Sequence, residues 1–322
     1  MQWARMLMLH LLMGGATSAF GVQTLQIPGP HGPLEGTLLS VPAQQAPRVL
    51  IVPGSGPTNR DGNSPLGIRA APYRLLAQGL AQQGISSVRI DKRGLFGSRA
   101  AIAHPDQVTL QAYADDVRQW VDHLSQLMGG RCVWLLGHSE GGLVAMLAAQ
   151  DNPQLCGLLL LATPGRPLAQ VLREQLSHNL SDPALRDSAL AIVDSLARGE
   201  PVSDVPAALE PLFRQQVQGF LISALTLDPR QLLGKVRQPV LIVQGDHDLQ
   251  VSADDARALQ AAKPQAMLRI LPGVNHVLKT VPADDREANL QTYAAADLAL
   301  APGVIQAIVE RLNTPATPRR AL

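Results

Sequence analysis

Val133-Trp134-Leu135-Leu136-Gly137-His138-Ser139-Glu140-Gly141-Gly142 is the stretch that decides how this chain is read. A short apolar run of strand formers meets Gly-x-Ser-x-Gly and passes at once into Leu143-Val144-Ala145-Met146-Leu147-Ala148-Ala149, whose composition is helical. This is the strand-turn-helix context of a nucleophile elbow, which lifts a serine hydroxyl above the end of a strand. A side chain at Gly137 or Gly141 would collide with neighbouring backbone in so sharp a turn. The same turn aims the Glu140 amide at any oxygen bound beside Ser139. A lone Gly-x-Ser-x-Gly also occurs as an ordinary Gly-rich turn, so its meaning depends on what the rest of the chain brings near it.

Working outward, 322 residues of which 46% are apolar can build a sizeable core in one large domain or two small ones. Aromatic residues make up only 3%, which argues against an exposed stacking platform for sugars or single-stranded nucleic acid. Residues 1–19 read as an export signal, with Arg5, an apolar run over 6–13 and the small residues Ala16-Thr17-Ser18-Ala19. The run is too short to span a membrane. Cleavage near Ala19 is therefore expected, and with it a periplasmic or secreted location. Losing Arg5 turns 27 basic residues into 26, equal to the 26 acidic ones. A neutral chain has no electrostatic attraction to nucleic acid or anionic lipid.

Alternating apolar positions in 22–27 and 34–39, on either side of Pro28-Gly29-Pro30-His31-Gly32-Pro33, predict an antiparallel hairpin at a sheet edge. Apolar strands then alternate with helix-length segments, the pattern of βαβ units in a mainly parallel sheet. The strands are expected at 49–52, 87–90, 132–136, 158–161, 240–243 and 267–270, and helices at 72–83, 109–128, 253–262 and 304–312. Between 165 and 235 the strand signals stop, and segments 168–180, 183–196 and 207–225 carry helical spacing. The expected organisation is a signal (1–19), a core in two parts (20–164 and 236–322) and a helical cap (165–235), with a frayed tail at 314–322. Cys132 and Cys156 both open expected strands. A bond between them would close a loop of about 25 residues and contribute roughly 3 kcal/mol. Two buried free thiols are the plainer reading, and the sequence leaves the pairing open.

A serine hydroxyl is a poor nucleophile and needs a base, and the base needs an acid to hold its tautomer. Parallel sheets build such sites at the carboxyl ends of their strands. His276 follows the last strand through Pro272-Gly273-Val274-Asn275, in the order serine, acid, histidine that the elbow architecture uses. His178 lies in the helical insertion, His31 and His104 sit in loops elsewhere, and His123 is mid-helix. For the acid, the strand ending at Val243 leads into Gln244-Gly245-Asp246-His247-Asp248, where Asp248 is preferred and Asp246 is the fallback. Read as a metal motif, Asp-His-Asp lacks a second ligand cluster. Two backbone donors are required for a developing oxyanion. Glu140 N–H is one, and Ser55 N–H in Pro53-Gly54-Ser55-Gly56-Pro57 is the other; no Gly-Lys-Ser/Thr follows to make that loop a phosphate cradle.

With these residues in view, the chain resembles the α/β-hydrolase superfamily, within the bacterial serine aminopeptidase-like and lysophospholipase-like hydrolases. The resemblance is carried by Gly54-Ser55-Gly56-Pro57 with Arg60-Asp61-Gly62-Asn63, Asp91-Lys92-Arg93-Gly94 with Gly97-Ser98, the elbow, Gly245-Asp246-His247-Asp248 and Asn275-His276. It implies an α/β-hydrolase fold, a mostly parallel eight-stranded sheet flanked by helices with a helical cap inserted after the sixth strand. It also supports Asp248 as the acid, since similar sequences place it last in Gly-x-x-Asp. Relatives often carry Asp where this chain has Asn59.

The expectation is an exported serine hydrolase of carboxylic esters that needs no cofactor and no metal and acts on a small-molecule ester. Ser139 is the nucleophile, His276 the base and Asp248 its orienting acid, with the Ser55 and Glu140 amides as oxyanion hole. Leu212, Phe213, Phe220 and Leu221 of the cap are expected to shape the acyl pocket. Arg93 is expected to pair with Asp61 or Asp91, and Glu140 to complement its helix dipole. If Glu140 instead bound a substrate ammonium, the protein would be an aminopeptidase. A thioesterase or cofactor-free haloperoxidase could use the same triad, and a non-catalytic protein holding a ligand under its cap is the alternative from outside enzymology.

Overall fold

The computed structural model describes residues 20–42 and 48–314. The expected export signal and residues 315–322 of the expected tail lie outside the described residues. Eight strands form one sheet in the order β1-β2-β4-β3-β5-β6-β7-β8. β1 (Gly21–Ile27) and β2 (Leu34–Ser40) are the antiparallel edge hairpin. β3 (Arg48–Val52), β4 (Ser86–Ile90), β5 (Val133–His138), β6 (Leu155–Leu161), β7 (Val240–Gly245) and β8 (Met267–Leu271) run parallel to one another.

Near-continuous apolar strands imply a sheet covered on both faces, because successive side chains alternate between them. Leu50, Val52, Val133, Leu135, Leu158, Leu160, Val240 and Ile242 join one core, beneath α2 (Leu110–Leu127), α3 (Glu140–Ala148), α8 (Pro229–Lys235) and α9 (Ala253–Ala262). Their neighbours Val49, Ile51, Trp134, Leu136, Leu159, Leu161, Leu241 and Val243 join the other, beneath α1 (Pro72–Gln82) and α11 (Pro302–Asn313).

β6 and β7 are joined by α4 (Leu168–Asn179), α5 (Pro183–Ala197), α6 (Glu210–Phe213), α7 (Gln215–Leu225) and α8. Helices α4 to α7 build a third apolar cluster around Val193, Leu196, Phe213 and Leu225. The helix expected over 207–225 is interrupted at Arg214, whose ψ of 148° is extended. Gln218 Nε2 donates to the Phe213 carbonyl at 2.8 Å, satisfying the acceptor that the break leaves open. Helices α8 and α10 (Arg286–Gln291) add to those expected.

Cys132 and Cys156 form a disulfide with their Cα atoms 5.1 Å apart, which corrects the reading of two buried free thiols. Neither is deeply buried: Cys132 is exposed and Cys156 half-buried. Val133 pairs with Leu155 and Trp134 with Gly157, so the β5/β6 register skips Cys156. That irregularity lies where the two sulfurs meet. Among the described residues no helix is long and apolar enough to cross a membrane.

Candidate active site

Ser139 sits between β5 and α3 with φ 55° and ψ −127°, a backbone conformation costly for any residue with a side chain. Close packing holds it there. A Cβ on Gly137 would lie 2.4 Å from the Gly141 carbonyl oxygen, and one on Gly141 would lie 2.5 Å from that of Val52. Ser139 N–H donates to Leu161 O at 2.9 Å, tying the elbow to the end of β6. The first amide of α3, that of Glu140, has no intrahelical acceptor and faces outward from the helix start.

His276 and Asp248 come from the loops after β8 and β7. His276 Nδ1 is 2.8 Å from Asp248 Oδ2, with the Asp248 side chain fully buried. Asp248 also accepts from Gln250 N at 2.7 Å, Val251 N at 3.0 Å and Gln244 Nε2 at 3.1 Å. Four donors on one carboxylate fix its plane. The fallback acid, Asp246, is turned elsewhere, 2.5 Å from His247 Nδ1 and accepting from Gly273 N at 2.7 Å. The histidine loop is anchored by buried Asn275, whose Nδ2 donates to Thr292 Oγ1 at 2.7 Å and Asn289 Oδ1 at 3.0 Å. The contact with Asp248 puts a proton on His276 Nδ1 and leaves Nε2 as the ring's acceptor.

Three strand-end loops meet at His138. Gly54 N–H donates to Tyr73 Oη at 2.9 Å, and Tyr73 O–H donates to His138 Nδ1 at 2.9 Å. His138 Nε2–H then donates to the His276 carbonyl at 2.9 Å, and the two imidazoles lie 4.9 Å apart. Burial, with the neighbouring His276 adding to it, pulls the His138 pKa down to about 3, so this ring is neutral. Burial likewise pushes the Tyr73 phenol above its ordinary value. Ser55, Thr58, Ile68, Ser139, His276 and Tyr293 line one small cleft of about 80 Å³. A larger hollow of about 570 Å³ between α1 and α11 contains none of these groups, and chemistry rather than size marks the site.

The structure thus brings Ser139, His276 and Ser55 onto one cleft with Asp248 behind the histidine. Other expectations are corrected. Arg93 pairs with neither Asp61 nor Asp91 but grips Asp116 of α2 with two bonds of 2.6 Å. Asp91 instead binds Arg60, and Asp61 binds Arg89. The Glu140 carboxylate is buried against Lys92, 3.8 Å away, rather than open to a substrate amine. None of Leu212, Phe213, Phe220 and Leu221 lines the cleft. Phe213 and Leu221 fill the core of the helical insertion, Phe220 packs at a tilt against Tyr113 with ring centres 5.6 Å apart, and Leu212 is exposed. Helices that rest only partly on a sheet need apolar residues for their own core. Sequence reading also passed over Tyr73, His138 as a structural ring, Gln244 and Lys92. Only Lys92 and His138 carried a signal, each standing inside a motif block.

A doubly covered, mostly parallel sheet with a serine elbow at the end of its central strand defines an α/β-hydrolase. The chain belongs to the family described as serine aminopeptidase, S33, which matches residues 67–280 and so includes Ser139, Asp248 and His276. Esterase EstD of Thermotoga maritima is 26% identical over 220 residues, 65% of this chain and 48% of that protein. Human monoglyceride lipase is 30% identical over 181 residues, 52% of this chain and 58% of the lipase. The chain therefore spans about half the length of the curated relatives it matches. Among solved structures, Est1E from Butyrivibrio proteoclasticus with bound ferulic acid superposes with a TM-score of 0.56 at 20% identity, covering 88% of this chain and 99% of that one. At that identity the likeness is one of fold.

Proposed function

We propose that this chain is an exported serine esterase that hydrolyses carboxylic esters with short acyl groups. The observation that carries the reading is the convergence of Ser139 and His276 on one cleft, with buried Asp248 2.8 Å from His276 Nδ1. Ser139 Oγ attacks the acyl carbon while His276 Nε2 takes its proton, and Asp248 stabilises the imidazolium that forms. The Ser55 and Glu140 amides receive the negative charge on the carbonyl oxygen. His276 then returns the proton to the leaving alcohol, and a water molecule repeats the sequence on the acyl-enzyme. No cofactor enters these steps.

A cleft of about 80 Å³ has room for little more than an acetyl or propionyl group, which supports the short-acyl assignment. Names of relatives that include an esterase and a monoglyceride lipase support ester chemistry. The family's aminopeptidase label would call for an acid that meets a substrate ammonium, and burial of Glu140 against Lys92 takes away the one the sequence offered. Export is supported by the composition of residues 1–19 and by the Cys132–Cys156 bond, which belongs to oxidising compartments. Helices α4 to α7 are read as a cap over the entrance.

The test is labelling with a fluorophosphonate probe on wild type and Ser139→Ala, followed by turnover of p-nitrophenyl esters from acetyl to octanoyl. Wild-type labelling lost in Ser139→Ala, with acetyl or propionyl ester turned over fastest, is the expected result. Labelling that survives the substitution would overturn the assignment.

A further inference from the structure

Behind the loop that carries Ser55 lies a cation that surface chemistry does not explain. Lys92, two residues past β4, is only 6% exposed. Its ammonium donates to the Gly54 carbonyl at 2.7 Å, lies 3.8 Å from Glu140 Oε1 and sits 5.3 Å from the centre of the Tyr113 ring. Glu140 Oε1 is itself buried with no hydrogen-bond partner among the described residues, which leaves Lys92 as its counterion. Burial pulls the Lys92 pKa down and Glu140 opposes the shift. An ion pair placed this deep is seldom a gain in stability over apolar packing, so its position calls for another explanation.

That explanation lies in the peptide unit Lys92 holds. The Gly54 carbonyl and the Ser55 amide belong to one peptide, and no cis peptide occurs among the described residues. In a trans peptide C=O and N–H point in opposite directions. With the Gly54 oxygen drawn back onto Lys92, Ser55 N–H faces the other way, toward the cleft that Ser55 lines. The preceding peptide is fixed too, because Gly54 N–H is held on Tyr73 Oη. Gly54 has no Cβ to resist rotation. Released from Lys92, the peptide could turn its oxygen toward the cleft, where it would repel the charge it should stabilise.

We propose that Lys92 is a positioning residue for the oxyanion hole, clamping the Gly54 carbonyl from behind so that Ser55 N–H stays aimed at the substrate oxygen. Through Glu140 the same ammonium ties this clamp to the helix start that supplies the second amide. Its charge also polarises the Gly54–Ser55 peptide and strengthens the donor on the far side. The proposal rests on the esterase reading above, in which the Ser55 and Glu140 amides bind the oxyanion.

The experiment compares wild type, Lys92→Met and the double variant Lys92→Met/Glu140→Gln, using p-nitrophenyl acetate turnover and inhibition by a phenyl trifluoromethyl ketone. The ketone adds to the active serine as an oxyanion and so reports on the hole directly. Replacing both charges in the double variant avoids stranding a buried carboxylate and preserves a folded protein to measure. Expected is a loss of about 10- to 100-fold in kcat in both variants, with KM changed less than about threefold and ketone affinity falling in step with kcat. Wild-type kcat in the double variant, or a loss confined to KM with ketone affinity intact, would overturn the clamp. Turnover that persists in Ser139→Ala would instead overturn the esterase reading, a result independent of Lys92.

Discussion

Asp248 Oδ2 lies 2.8 Å from His276 Nδ1, while Asp246, two residues earlier in the same turn, is held on His247 and the Gly273 amide. Two acids in the same turn after β7 are therefore distinct in chemistry. Asp248→Asn leaves the geometry largely in place but favours the wrong histidine tautomer, and kcat on p-nitrophenyl acetate is expected to fall by roughly 10³ to 10⁴. Asp246→Asn is expected to stay within about fivefold of wild type, since it touches neither Ser139 nor His276. Equal losses in the two variants would contradict the assignment.

The neutral ring of His138 makes stability depend on pH. Its pKa is held at about 3 in the folded chain against 6.5 for an ordinary histidine. Between those values the unfolded chain binds a proton that the native one refuses, so stability falls as pH drops through the window, by at most about 1.4 kcal/mol per pH unit. Urea unfolding at pH 7 and pH 4.5 should show a larger loss for wild type than for His138→Gln, by up to about 2.5 kcal/mol. Carboxylates that titrate in the same range act on both proteins and cancel in the comparison.

Removal of the Cys132–Cys156 bond, which spans 24 residues, should cost roughly 3 kcal/mol if the cross-link acts by restricting the unfolded chain. Urea unfolding of Cys132→Ser/Cys156→Ser against the oxidised wild type measures it. Thiol titration of the unfolded, unreduced protein should detect no reactive sulfhydryl, and two would refute the bond.

Tyr293 closes one side of the small cleft, its hydroxyl held by Gln250 Nε2 at 3.0 Å. Tyr293→Ala should lengthen the preferred acyl chain, raising kcat/KM for the butyryl and hexanoyl esters relative to acetyl. An unchanged chain-length profile would place the acyl group elsewhere than in this cleft.

Much of this architecture was legible in the sequence because each decisive residue stands at a strand end after a short turn. Ser139, Asp248 and His276 are of that kind, and near-continuous apolar runs, buried on both sheet faces, make the parallel strands themselves easy to read. What escaped depends on contacts between distant elements. Arg93 finds Asp116 only when α2 packs beside the loop after β4. Tyr73, His138 and Lys92 acquire roles only when the loops after β3, β4, β5 and β8 meet. Helical spacing showed that Phe213 and Leu221 face something apolar, yet a period of 3.6 residues does not say what that something is. The break at Arg214 is similar, since the Phe213 carbonyl before it depends on a glutamine side chain reaching back from α7.

The skipped pairing at Cys156 has a consequence for the height of the serine above the sheet. Parallel neighbours with uniformly apolar side chains, as in β5 and β6, can slide by two residues and still present the same faces. Such a slide would displace Ser139 along the strand by about 6.6 Å, out of reach of groups supplied by the loops after β7 and β8. A covalent tie between the feet of β5 and β6 forbids it. The disulfide thus fixes the longitudinal setting of one strand against the next, and Ser139 keeps its level because its strand cannot slip.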